Sequence, residues 1–146
     1  NDAMQLLMVM DRIGQDEELM SAYAQVLVYD LRRMPDSLKA ALEFVASAPS
    51  RSLADFALYR LLNISLAEND DDRILSCVQR LEEEFPQSYY YPFGLKARAD
   101  LYRSDIGRVD ESKQIYRQLL EKFPNYPFAS EVRQRLRELE QDNRIG

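Results

Sequence analysis

Three prolines recur at nearly equal intervals along this chain. Pro49, Pro86 and Pro124 are 37 and 38 residues apart, and each follows a stretch whose apolar residues recur at helical spacing. Because proline cannot continue a helix, each of them marks the end of such a stretch. A helical unit that repeats at this period has an apolar face that its neighbour must cover. The spacing therefore predicts an α-solenoid.

Turn signals divide the chain into helical segments. The period-two alternation of half-buried strands is absent, and apolar residues follow the helical period throughout. Gly14 and Asn69 stand where a left-handed residue would close a helix, and Ser52 with Asp55 resembles a capping box. We predict eight helices: Asp2–Ile13, Glu17–Arg33, Ser37–Ala48, Ser52 to the turn at Asn69, Asp70 to the stop at Pro86, Tyr90–Arg103, Asp110–Lys122 and Pro127–Gln141.

Local patterns add detail to these helices. Pro35 is predicted to end the second helix, and Asp36 to cap the third. The residues five positions before the three repeat prolines are predicted to be equivalent: Phe44, Leu81 and Leu119. The apolar stripe of the second helix is predicted to comprise Met20, Tyr23, Ala24, Leu27 and Leu31, and that of the first to include Leu6, Met10 and Ile13.

The composition argues against most enzyme classes. The chain has no His, one Cys and only four Gly. Histidine-based acid–base chemistry, a thiolate-rich metal site and a glycine-rich phosphate loop are therefore disfavoured. We expect no catalytic, cofactor-binding or metal-binding residues, and no bound cofactor.

The charge and hydropathy of the chain limit the classes of partner that it can bind. The formal net charge is −6, and no basic patch of the kind that binds nucleic acid is visible. The longest apolar run, Leu6 to Met10, is far too short to cross a bilayer. The chain opens at Asn1 in a segment that becomes helical almost at once, which favours a module of a longer protein. The compartment stays open between a bacterial periplasm or envelope and the cytoplasm.

The repeat resembles the tetratricopeptide repeat (TPR) family. The third copy carries the resemblance best, and its matching positions are Leu95, Ala99, Tyr102, Gly107, Ser112, Tyr116, Leu119 and Pro124. The segment from Leu120 to Ala129 is similar to the variant found in bacterial envelope-associated members. The resemblance implies an all-α, right-handed α-α solenoid of about three helix pairs plus flanking helices, like the C-terminal repeat module of larger bacterial TPR proteins.

The resemblance also implies a division of the chain and a binding face. The chain would form one domain over residues 1–146, with a remnant helix at 1–15, repeats at 16–49, 50–86 and 87–124, and a capping helix at 125–146. In this family the first helices of successive pairs line a concave groove. That role would fall here to seven residues: Gln25, Tyr59, Asn63, Phe93, Lys96, Asp100 and Arg103.

Four other features each have two interpretations. The aromatic segment Tyr89–Phe93 would be either an interface or a plug for a wide turn between repeats. The methionines of the first helix would line either an adaptable surface or a packed face. Cys77 is favoured as a structural residue, because no histidine is present to activate it. The acidic segment Asp70–Asp72 is favoured as a helix start over a cation site.

The function predicted from these observations is protein–protein interaction. The module would act as a non-catalytic scaffold or adaptor that binds a protein or peptide on its concave face. The alternative is self-association into a homodimer, with the first helix and the Tyr89–Phe93 segment buried against a second copy. RNA binding by a helical repeat would need basic groove residues, and neither nucleic acid nor direct membrane insertion is expected for this acidic segment.

Overall fold

The computed structural model describes the backbone of residues 2–145 and the side chains of residues 2–142. Over this range the chain is all-helical, with eight α-helices and one short 3-10 helix: α1 Asp2–Ile13, α2 Glu17–Leu31, α3 Pro35–Ser47, α4 Ala54–Glu68, α5 Asp71–Glu84, α6 Tyr91–Arg103, the 3-10 turn Ile106–Arg108, α7 Val109–Lys122 and α8 Ala129–Ile145. The predicted all-α class is confirmed. Within the described residues no helix is long and apolar enough to cross a membrane.

Local signals account for most helix ends. Gly14 and Asn69 adopt left-handed φ values of 58° and 54° and close their helices, as predicted. The carboxylate of Asp70 accepts a hydrogen bond from the backbone N–H of Arg73, which confirms the helix-start role of the acidic segment. Asp16 caps α2 in the same way through Leu19.

The predicted signals at three helix ends are wrong. Pro35 does not end the second helix, because Arg33 already turns the chain with a left-handed φ of 53°. Pro35 is the first residue of α3, where its missing N–H is not needed, so Asp36 lies inside the first turn and does not cap the helix as predicted. The fourth helix begins at Ala54, two residues beyond Ser52. Asp55 is buried, and its carboxylate accepts hydrogen bonds from the Arg12 guanidinium and the Phe56 backbone N–H.

The chain divides into two compact units, residues 1–64 and 65–146. In the first unit α2 packs against α3, and α1 packs against α2. The tilted rings of Tyr23 and Phe56 lie 6.3 Å apart between centroids. The buried side chains of this unit include Val9, Ile13, Leu19, Tyr23, Val26, Leu42, Val45 and Phe56.

The predicted apolar stripes of α1 and α2 are correct only in part. Ile13 and Tyr23 are buried as predicted, whereas Leu6 and Met10 are exposed and Val9 is buried. The other four predicted residues of the α2 stripe are exposed, namely Met20, Ala24, Leu27 and Leu31. Leu19 and Val26 are buried with Tyr23 instead, because α2 carries apolar residues on more than one side.

In the second unit each helix packs on the next, from α5 to α6, α7 and α8. The buried core of its C-terminal part comprises Leu95, Ala99, Tyr116, Leu119, Phe128, Val132 and Leu139. The hydroxyl of Ser112 donates a 2.7 Å hydrogen bond to the carbonyl of Ala99, which joins α7 to α6 inside this core. Cys77 is buried in α5, at the structural position predicted for it.

The predicted equivalence between repeats holds for two copies only. Leu81 and Leu119 are fully buried, whereas Phe44 is 67% exposed. Helix α3 is therefore rotated about its axis so that the residue five positions before its proline does not face the core. Asn1 and Gly146, the ends of the predicted domain, lie outside the described residues.

Candidate functional site on α6 and α8

Three of the predicted groove residues lie on one side of α6. Lys96, Asp100 and Arg103 follow each other at steps of four and three residues, which places them on the same helix face. The Nζ atom of Lys96 lies 2.9 Å from Oδ2 of Asp100, as a hydrogen-bonded ion pair. All three side chains are half-buried.

The same face receives two charged residues from α8. Oε2 of Glu131 lies 3.2 Å from Nζ of Lys96. The guanidinium of Arg135 contacts the carboxylates of both Asp100 and Glu131. These four residues form the charged network of the site, in which each charge touches at least two of opposite sign.

Tyr116 anchors the charged network to the core. This tyrosine is fully buried in α7, and its hydroxyl donates a short hydrogen bond to Asp100. Burial, followed by this hydrogen bond and the charge of Asp100, raises the pKa of Tyr116 above its usual value near 10. The tyrosine therefore stays neutral and remains a hydrogen-bond donor at physiological pH.

Asp100 stays ionised at the centre of the charged network. Burial by itself would raise the pKa of its carboxyl group. Hydrogen bonds from Arg135, Tyr116 and Lys96 outweigh burial, so that the pKa of Asp100 lies below its usual value near 3.8. The ionised carboxylate of Asp100 therefore orients the side chains of Lys96 and Arg135 on this surface.

A shallow depression adjoins the charged network. It has a volume of about 230 Å³ and is lined by Arg103, Glu131, Gln134, Arg135 and Glu138. Its walls offer guanidinium donors, carboxylate acceptors and one side-chain amide. Such a surface can form hydrogen bonds and ion pairs with a polypeptide, and its charges are of both signs.

Phe93, also predicted for the groove, has a different environment. Its ring contacts the edges or tilted faces of Tyr89, Tyr126 and Phe128, with centroids 5.3 to 5.6 Å apart. Tyr126 also stacks on Tyr89 at 5.2 Å and donates a hydrogen bond to its carbonyl oxygen. This aromatic cluster joins the turn before α6 to the turn before α8, as the plug interpretation expects, while Tyr89 stays exposed.

The remaining predicted site residues lie in the first unit. Gln25 is exposed on α2 and lines a groove of about 360 Å³ together with Tyr29 and Phe44. Tyr59 is half-buried and Asn63 exposed, both on α4. Neither of the two lines the Gln25 groove. The methionines of α1 also lie here, and Met4 and Met10 are exposed, so they are not core residues.

Helix α8 contributes two residues that were not predicted for the site. The spacing of Glu131 and Arg135, four residues apart on one helix, indicates a solvated pair, but the two residues complete the charged network. One signal points to this arrangement. Glu131 follows Lys96 by 35 residues, and Arg135 follows Asp100 by 35 residues. Each charged residue of α6 is therefore followed by one of opposite charge at a distance close to the 37 and 38 residues between the repeat prolines, which favours contact between α6 and α8.

Comparison of the chain with protein-family models, characterised proteins and solved structures finds no match.

Proposed function

We propose that this chain is a TPR-like, non-catalytic module that binds a partner protein or peptide through the face formed by α6 and α8. The observation that carries the proposal is the charged network of Lys96, Asp100, Glu131 and Arg135 beside an open depression. A right-handed solenoid with these helices on its concave side is part of the same proposal. The consecutive packing of α5 to α8 supports it.

A preorganised surface lowers the cost of binding. Lys96 and Asp100 are held by ion pairs and by the buried hydroxyl of Tyr116, so their side-chain entropy is already lost before a partner arrives. Arg103 lines the depression beside them. We propose that Arg103 pairs with an acidic group of the partner, because guanidinium groups recognise carboxylates with two parallel hydrogen bonds.

The proposal can be tested by site-specific photo-crosslinking followed by affinity measurement. A photoreactive amino acid at Gln134, in the depression, should capture the partner, whereas one at Gln114, exposed on α7, should not. The purified partner should then bind Arg103→Glu at least about tenfold more weakly than the wild type, as expected for a lost charge-assisted contact.

A matched control variant makes the same substitution at another arginine of the surface. Arg133→Glu makes the same charge change on an exposed residue of α8 that does not line the depression. It should bind the partner with wild-type affinity. Equal affinities of wild type and Arg103→Glu would place the binding site elsewhere and overturn the proposal.

A further inference from the structure

Helix α2 carries a second apolar stripe that its own unit does not cover. Leu19, Tyr23 and Val26 are buried, as one face of an amphipathic helix should be. Met20, Ala24, Leu27 and Leu31 form a separate line on the exposed surface, and Leu31 is 85% exposed. Contiguous exposed apolar residues of this kind mark an interaction surface.

The spacing of the exposed stripe indicates a helical partner. Its members follow each other at steps of four, three and four residues, the spacing of the seam residues in a coiled coil. The side chains of this stripe also fit those of a second α2 helix that runs in the opposite direction. An antiparallel copy centred between Ala24 and Leu27 places the small side chain of Ala24 opposite the large Leu27, and Met20 opposite Leu31. Such small-to-large layers let two helices approach closely.

The charges at the ends of α2 favour the same antiparallel arrangement. Glu17 and Glu18 are exposed in the first turn, and Arg32 and Arg33 are exposed just beyond the last turn. Two antiparallel copies bring the acidic end of each helix next to the basic end of the other. A parallel pair would bring like charges together, which is unfavourable.

We infer that the exposed stripe of α2 is the interface of a homodimer, in which α2 of two copies packs antiparallel about a two-fold axis. The same patch then serves both copies, as a closed symmetric dimer requires. This surface lies in the first unit and shares no residue with the face proposed for the partner, which lies in the second unit. A contact centred on one helix about 22 Å long is small, so the dimer dissociates at concentrations on the order of micromolar.

Sedimentation equilibrium of the 146-residue chain tests the inference. The wild type should show a monomer–dimer equilibrium, and the double variant Leu27→Glu/Leu31→Glu should remain monomeric with an unchanged helical circular dichroism spectrum. Ile106→Glu, at a 96% exposed position outside α2, should dimerise like the wild type. A wild type that stays monomeric at the highest soluble concentration overturns the inference, because the exposed stripe of α2 then does not pair with a second copy.

A charge-exchange experiment tests the antiparallel arrangement itself. Glu17→Arg/Glu18→Arg places arginines at both ends of α2, and Arg32→Glu/Arg33→Glu places glutamates at both ends. Each variant alone should dimerise at least tenfold more weakly than the wild type, because like charges meet. An equimolar mixture should recover a dimer, because opposite charges then meet at both ends. Separate variants that dimerise as tightly as the wild type would overturn the antiparallel arrangement, because like charges meet in a parallel pair of either kind.

Discussion

Arg135 of α8 and Asp100 of α6 are in direct ionic contact, and Asp100 also accepts a hydrogen bond from Tyr116 of α7. One carboxylate therefore ties three helices of the second unit together. Because its side chain is only 24% exposed, solvent replaces these contacts poorly when they are lost. The charged network is consequently a structural element as well as a candidate binding surface.

Removal of the Asp100 carboxylate should destabilise the second unit. We expect Asp100→Ala to lower the free energy of unfolding by about 2 to 3 kcal/mol, because Lys96, Arg135 and Tyr116 lose a shared partner. Urea denaturation followed by circular dichroism measures the change. Glu121→Ala, an exposed acid on α7, should change the free energy by less than about 0.5 kcal/mol. Equal effects of the two variants would contradict the structural role of Asp100.

The same carboxylate should make stability depend on acid pH. The pKa of Asp100 is lowered in the folded chain, so its ionised form stabilises the fold above the ordinary pKa near 3.8. This contribution is lost as the pH falls through the folded-state pKa. The stability difference between wild type and Asp100→Asn should be constant at neutral pH and shrink below about pH 4. Urea titrations across this range measure it, and a difference that grows on acidification would refute the assignment.

Tyr91 should give a stability change at alkaline pH. Burial, followed by a hydrogen bond to Glu82, raises the pKa of Tyr91 to about 12. The neutral phenol therefore stabilises the folded chain below the ordinary tyrosine pKa near 10, and this contribution is lost as the pH rises through 12. The stability advantage of the wild type over Tyr91→Phe should decline across this window. Phenolate absorbance at 295 nm follows the titration, and a Tyr91→Phe variant that loses no high-pH transition would argue against the shift.

Core substitutions should separate two of the positions that lie five residues before the repeat prolines. Leu119→Ala should cost about 2 to 5 kcal/mol, since Leu119 is fully buried. Phe44→Ala should cost less than about 1 kcal/mol, because Phe44 is 67% exposed. Leu42→Ala, at a buried position of the same helix, is the matched control and should resemble Leu119→Ala. A large cost at Phe44 would mean that this ring is covered in solution.

Substitutions of Gly94 should test how closely α6 packs against α5. A Cβ atom at this position would lie 3.4 to 3.5 Å from side-chain atoms of Leu81 and Val78, which is ordinary contact. We expect Gly94→Ala to leave stability within about 1 kcal/mol of the wild type, because gained helix propensity offsets crowding. Gly94→Leu should lower it by about 1 to 3 kcal/mol through overpacking. Thermal denaturation compares the two, and equal stabilities would contradict the close approach.

Local signals in the sequence predicted most of the fold. The all-α class, all eight helices and the turns at Gly14 and Asn69 follow from patterns that act within one or two helical turns. The site was predicted in part. Lys96 and Asp100 do pair on one face of α6, but Phe93 belongs to an aromatic cluster, and the part played by Arg135 was missed. The TPR solenoid and its partner remain proposals.

The sequence by itself determined most of the helix ends, because caps, prolines and left-handed residues act on their nearest neighbours in the chain. Only the tertiary structure decided how each helix is rotated about its axis. That rotation depends on which apolar side chains find partners distant in sequence. It placed Leu19 and Val26 in the core while Leu27 and Leu31 stayed exposed, and it brought Arg135 to Asp100.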